Sequence, residues 1–116
     1  MLQRAEPVVS ALIRPLVLIV AAASLLGAAA GPKQVKHLVV IQGVQFAPQE
    51  LTVNAGDSVE WQNHDPFPHT VTAVGKQFDS HQIAAGQSWK YTATKAGEFA
   101  YGCSLHPTMH GTLRVD

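Results

Sequence analysis

The 116-residue chain contains one cysteine, Cys103, so no disulfide can close within it. Charge is sparse and balanced, with eight basic and eight acidic residues, and Lys and Arg form no runs. A nucleic-acid partner normally requires a basic patch, so that class is excluded. No His-Glu-x-x-His motif occurs, and the six histidines are too scattered to build a multicopper oxidase cluster. A single cysteine also rules out a two-cysteine dinuclear copper centre. We therefore read the chain as a non-enzyme. Its longest apolar stretch, from Leu16 to Ala30, is Ala-rich and short of the roughly 20 residues a bilayer span needs.

That stretch follows Arg4 and Arg14 and ends in small residues, with Ala28 and Ala30 suiting a cleavage site. This is the plan of a secretory signal. Residues 1–30 are expected to be a signal peptide, with an uncleaved membrane anchor as the competing reading. Residues 31–116 are then one exported domain, periplasmic or in another oxidising compartment. A domain of this size buries a modest core and often needs a staple. A lone thiol there is an oxidation liability unless it has a task.

From His37 onward a period of two dominates. "HLVVIQ", "LTVNAGD", "SVEWQN", "HTVTAV", "SWKYTAT", "GEFAYGC" and "GTLRVD" read as strands between Gly, Pro, Asn and Asp turns. "HDPFPH" and "FDSHQIAAGQ" read as loops. Seven or so short strands without a convincing helix predict an all-β, antiparallel sandwich.

The alternation also orients the side chains that carry chemistry. His69 shares the inward face of Val71 and Ala73, and Cys103 that of Phe99 and Tyr101. If the two strands are neighbours with those ends together, a thiol and an imidazole converge at one pole of the sandwich. After Cys103, the segment "SLHPTM" reads as a short loop through Pro107, which can bring His106 and Met109 back over the strand end. One thiolate, two imidazoles and a thioether match a trigonal copper site with a weak axial methionine. Zinc would ordinarily take a fourth strong donor. The plainer readings are a buried inert thiol at Cys103, a hydrogen-bonded core histidine at His69 and core filling at Met109. The spacing of the set, together with export, favours metal. His64 and His110 read as solvated loop residues and His37 as a strand-end residue. Trp61, Trp89, Phe99 and Tyr101 read as core. Phe67, between two prolines, either forms an apolar docking surface or packs under its loop.

On "PHTVTA", "GEFAYGCSLHPTMHGTLRV" and "FAPQELTVNAGDSVEWQN" the chain resembles the cupredoxins, the small blue-copper proteins, over nearly all of residues 36–116. The Cys-x₂-His-x₂-Met spacing is similar to that of the amicyanin and pseudoazurin branch. The resemblance implies an eight-stranded Greek-key β-sandwich. It also implies one type 1 copper ion held by His69, Cys103, His106 and Met109. One-electron transfer would then run between redox proteins that dock near His106. The near-neutral charge favours an apolar docking face over electrostatic steering, and we expect a monomer. The rival reading is a copper carrier that delivers the metal to another exported protein. At one position the sequence departs from the family pattern: Thr70 follows the first histidine where asparagine is common, so a weaker brace on the ligand loop is expected. His81 stands where many relatives have glycine.

Overall fold

The computed structural model describes Pro15 and residues 33–116, and the rest of the expected signal segment, residues 1–30, lies outside them. Among the described residues there is no helix, and so none long and apolar enough to cross a membrane. Eight strands follow in chain order: β1 Lys36–Ile41, β2 Phe46–Ala47, β3 Glu50–Val53, β4 Ser58–Asn63, β5 Thr72–Ala73, β6 Ser88–Thr92, β7 Gly97–Cys103 and β8 His106–Val115. They form two four-stranded sheets, ordered β2-β1-β4-β6 and β3-β8-β7-β5. The all-β sandwich is therefore as expected, but its sheets are mixed and not purely antiparallel. β1 runs parallel to β4, and β3 parallel to β8. Between β2 and β7 the chain changes sheet at every step, so sequence neighbours separate and parallel partners meet through crossovers. Alternating hydrophobicity reports which face a residue takes, and says nothing of strand direction.

The inward faces pack as period two requires. Val59, Trp61 and Asn63 of β4 are buried, as are Met109, Gly111, Leu113 and Val115 of β8. Trp61 donates its indole N–H to the Tyr101 hydroxyl at 3.2 Å, which satisfies two buried polar atoms at once. Burial pushes the Tyr101 phenol up to about 12, with the Trp61 bond opposing weakly, so the ring stays neutral. Gly111 lies opposite Tyr101 in the β7–β8 register, where any Cβ would overlap that ring. Phe78, from the segment read as loop, completes the core and packs on Tyr91 at 4.8 Å. Trp89 and Tyr91 are only half-buried, because β6 is a sheet edge.

Two local expectations change. "HTVTAV" contributes only Thr72–Ala73 to a sheet, pairing with β7 through Thr72↔Gly102 and Ala73↔Tyr101. The residues before it pair with the following loop instead: His69 and Ile83 exchange backbone hydrogen bonds at 3.1 and 2.7 Å. "SLHPTM" is also no open loop. Only Ser104 and Leu105 turn, and β8 begins at His106, paired with Cys103 across a register shift at Gly102/Cys103. Such a bulge re-aims side chains at a strand end. Pro107 is tolerated because β3 pairs with β8 only from Thr112 onward, so the missing N–H faces no second ladder.

Candidate metal centre

The β5–β7 register brings the segment before β5 alongside the end of β7. His69, with no exposed surface, thereby reaches Cys103, which is 4% exposed. Cys103 Sγ lies 3.7 Å from His69 Nδ1 and 3.6 Å from His106 Nδ1. Ligand atoms of the three residues all fall within 4.8 Å of one another, the only metal-capable group of this kind among the described residues. The turn at Ser104–Leu105 folds His106 back over Cys103, and His106 remains partly exposed. Met109 is buried in the same core cluster as Cys103. Its carbonyl oxygen packs against Gly102, where an added Cβ would come within 2.8 Å of it, so glycine lets the two hairpin arms close.

The His69 ring is oriented by its far nitrogen. His69 Nε2 donates to Asp65 Oδ2 at 2.7 Å, and a carboxylate can only accept. In the neutral ring this leaves Nδ1 bare, and Nδ1 is the nitrogen that faces the sulfur. Asp65 is itself held by the backbone N–H groups of Gly43 and Val44 at 2.7 and 2.9 Å. Burial opposes its ionisation, but the amides of Val44 and Gly43 and the His69 ring together hold its carboxyl below the ordinary range. Asn63 fixes the loop between: its carbonyl accepts Asp65 N–H, and its amide donates to the carbonyls of Phe67 and Ile83.

Around the sulfur, Thr70 does more than its size promised. Its backbone N–H donates to Cys103 Sγ at 3.2 Å. Its hydroxyl accepts the Ser104 N–H at 2.8 Å and bonds the Ser104 and Thr72 hydroxyls at 3.2 and 2.9 Å. The weaker brace expected from threonine is thus offset by a short hydroxyl chain that continues to Asp79. Phe67 adjoins both histidine rings. Its ring packs against His69 and His106 at 5.2 and 5.5 Å between centroids, and it is 38% exposed. Exposed Leu105 adds to the apolar surface.

The other histidines stay outside the cluster. His64 bonds Gln62, His110 is exposed, and His81 sits at φ 58 in a turn capped by Asp79. His37 bonds Asp57 at 3.0 Å. Sequence reasoning missed Asp65 and Asn63. The available signal was an acid four residues before a histidine, within a loop closed by prolines.

Donors bonded to one metal at about 2.0–2.3 Å, in tetrahedral or trigonal array, lie roughly 3.5–3.8 Å apart. Both sulfur–nitrogen distances fall in that range. With two imidazoles and one thiolate, the set is the one that copper takes in trigonal sites, with a buried methionine on the same hairpin.

Comparison with known proteins agrees with this donor chemistry. Residues 15–115 match the family described as Cupredoxin-like domain. The amicyanin of Paracoccus versutus is 31% identical over 84 residues, which cover 68% of this chain; the chain spans 64% of that relative's length. Among solved structures, a Cu(I) amicyanin variant superposes with a TM-score of 0.66 at 30% identity, covering 70% of this chain and 82% of the other. A copper-containing nitrite reductase from Thermus scotoductus superposes at 0.65 and 31% identity, covering 75% of this chain but only 23% of the enzyme.

Proposed function

Because the chain belongs to the Cupredoxin-like family, we propose that it is a small exported blue-copper protein carrying single electrons between redox partners. Residues 1–30 would direct export and residues 31–116 would form the working domain. His69, Cys103, His106 and Met109 would hold one copper ion. The observation that carries this reading is the convergence of Cys103 Sγ with two imidazole nitrogens, each facing it through Nδ1. Copper, when bound, supplies the one-electron couple between its divalent and monovalent states.

The chain's contribution is to hold the donors still. Cys103 and His106 sit on the two arms of one hairpin, and His69 is tied to Asp65 and to Ile83. Donors fixed on strand ends cannot rearrange much between oxidation states, so little reorganisation opposes transfer. The Thr70 N–H aimed at the sulfur and the apolar surroundings of Cys103 tune the potential. Metal binding requires Cys103 as thiolate, which also gives the lone thiol its task. His106 is the more exposed ring and serves as the electron port. Phe67 and Leu105 beside it offer partners an apolar face. A carrier is favoured over an enzyme by the likeness to amicyanin, 31% identical over 84 residues. Retention is favoured over copper delivery because His69 and Cys103 are buried.

Addition of Cu(II) to the purified protein should produce an intense blue colour from thiolate-to-copper charge transfer. A colourless copper-loaded protein with Cys103 intact would overturn the reading. Fast electron self-exchange with slow copper release is expected, and the reverse would identify a delivery protein.

A further inference from the structure

Asp65 accepts three hydrogen bonds and can donate none when ionised. Oδ1 takes the Gly43 N–H at 2.7 Å, while Oδ2 takes the Val44 N–H at 2.9 Å and the His69 Nε2–H at 2.7 Å. Only a carboxylate suits such a site. An amide would turn its own NH₂ toward at least one of these N–H groups. The two backbone donors come from consecutive residues with φ of 63 and 59°, an arrangement that aims successive N–H groups into one anion-binding concavity. Valine rarely adopts that conformation, so the β1–β2 turn is shaped around the carboxylate at some conformational cost. A residue 21 to 22 positions distant is thereby fixed against a candidate ligand.

We propose that Asp65 is the positioning residue of the copper centre. It locks His69 as the Nε2–H tautomer with Nδ1 toward Cys103, and its charge biases the site toward Cu(II). The second half rests on the copper-carrier reading above. A carboxylate bonded to the far nitrogen raises the donor strength of an imidazole. A fixed negative charge in a buried site favours the more highly charged metal. A neutral acceptor would orient the ring equally well but supply no charge.

The test compares wild type with Asp65→Asn as full-length copper proteins. The variant should lose about 10- to 100-fold in Cu(II) affinity and less in Cu(I) affinity. Each tenfold change in their ratio reads as about 59 mV of higher potential. A blue Asp65→Asn protein whose Cu(II)/Cu(I) affinity ratio stays within about twofold of wild type overturns the electrostatic role, because a purely structural residue would lower the melting temperature alone. Nitrogen-15 NMR of metal-free wild type needs no variant and covers the case in which Asp65→Asn does not fold. His69 should be Nε2–H, and an Nδ1–H ring overturns the positioning role. Failure of wild type to turn blue sinks the copper reading instead, and the tautomer still decides for Asp65.

Discussion

β4 carries the same device at both ends, with different consequences. Before it, Asp57 accepts the backbone N–H groups of Val35 and Asn54 and bonds His37 Nε2 at 3.0 Å. After it, Asp65 accepts those of Gly43 and Val44 and bonds His69 Nε2 at 2.7 Å. The parallel β1–β4 pair, in register from Lys36↔Ser58 to Ile41↔Asn63, is thus clasped by a carboxylate at each end. What separates them is what stands beyond the imidazole. His37 is 22% exposed and belongs to no metal-capable cluster, whereas His69 is fully buried and faces a sulfur and a second ring. A carboxylate–histidine pair is therefore a fastening by itself. It becomes part of a metal centre only where other donors converge.

The sharpest way to break this contrast is Cys103→Ser, which should abolish the intense visible band of the copper protein while strand content by circular dichroism persists. A blue Cys103→Ser protein would remove the distinction between the two ends. Thr70→Val comes next. It removes the acceptor of the Ser104 N–H, a part-buried bond worth about 0.5–1.5 kcal/mol by denaturant unfolding. The visible band should shift little, because the Thr70 N–H to the sulfur is backbone. An unchanged unfolding midpoint would show that the hydroxyl chain does not brace the hairpin.

The smallest effect is expected at the other clasp. Asp57→Asn should lower the melting temperature and leave colour and potential unchanged, so a shifted potential would mean the two ends are coupled. The His37 bond, with the amides of Asn54 and Val35, holds the Asp57 carboxyl below its ordinary value. A depressed carboxylate contributes stability that is fully present above its unfolded value of about 3.9 and is lost as pH falls through the lower folded value. The stability gap between wild type and Asp57→Asn should therefore hold near neutrality and close only under acid below that value. A gap that closes between pH 5 and 7 would contradict the assignment.

Much of the site was legible in advance. Period two placed His69, Val71 and Ala73 on one face and Tyr101 and Cys103 on another, and all five are buried. The short Cys-x₂-His-x₂-Met interval kept three candidate donors within one hairpin. The acid four residues before His69 was visible, but the role of Asp65 was not, since it depends on a turn some twenty residues earlier presenting two N–H groups at positive φ. The brace at Thr70 was underestimated because a hydroxyl's worth depends on what the fold puts beside it, here Ser104 from the turn after β7.

Composition and alternation by themselves determined an all-β body, its inward faces and an inventory of soft and nitrogen donors, because these are local properties of neighbouring residues. Tertiary structure alone decided that β1/β4 and β3/β8 run parallel, that the segment read as a ligand loop is a two-residue turn between paired strands, and that a buried carboxylate stands behind one imidazole. Those features are set by contacts between residues far apart in the chain, and no short period in a sequence encodes the direction or partner of such a contact.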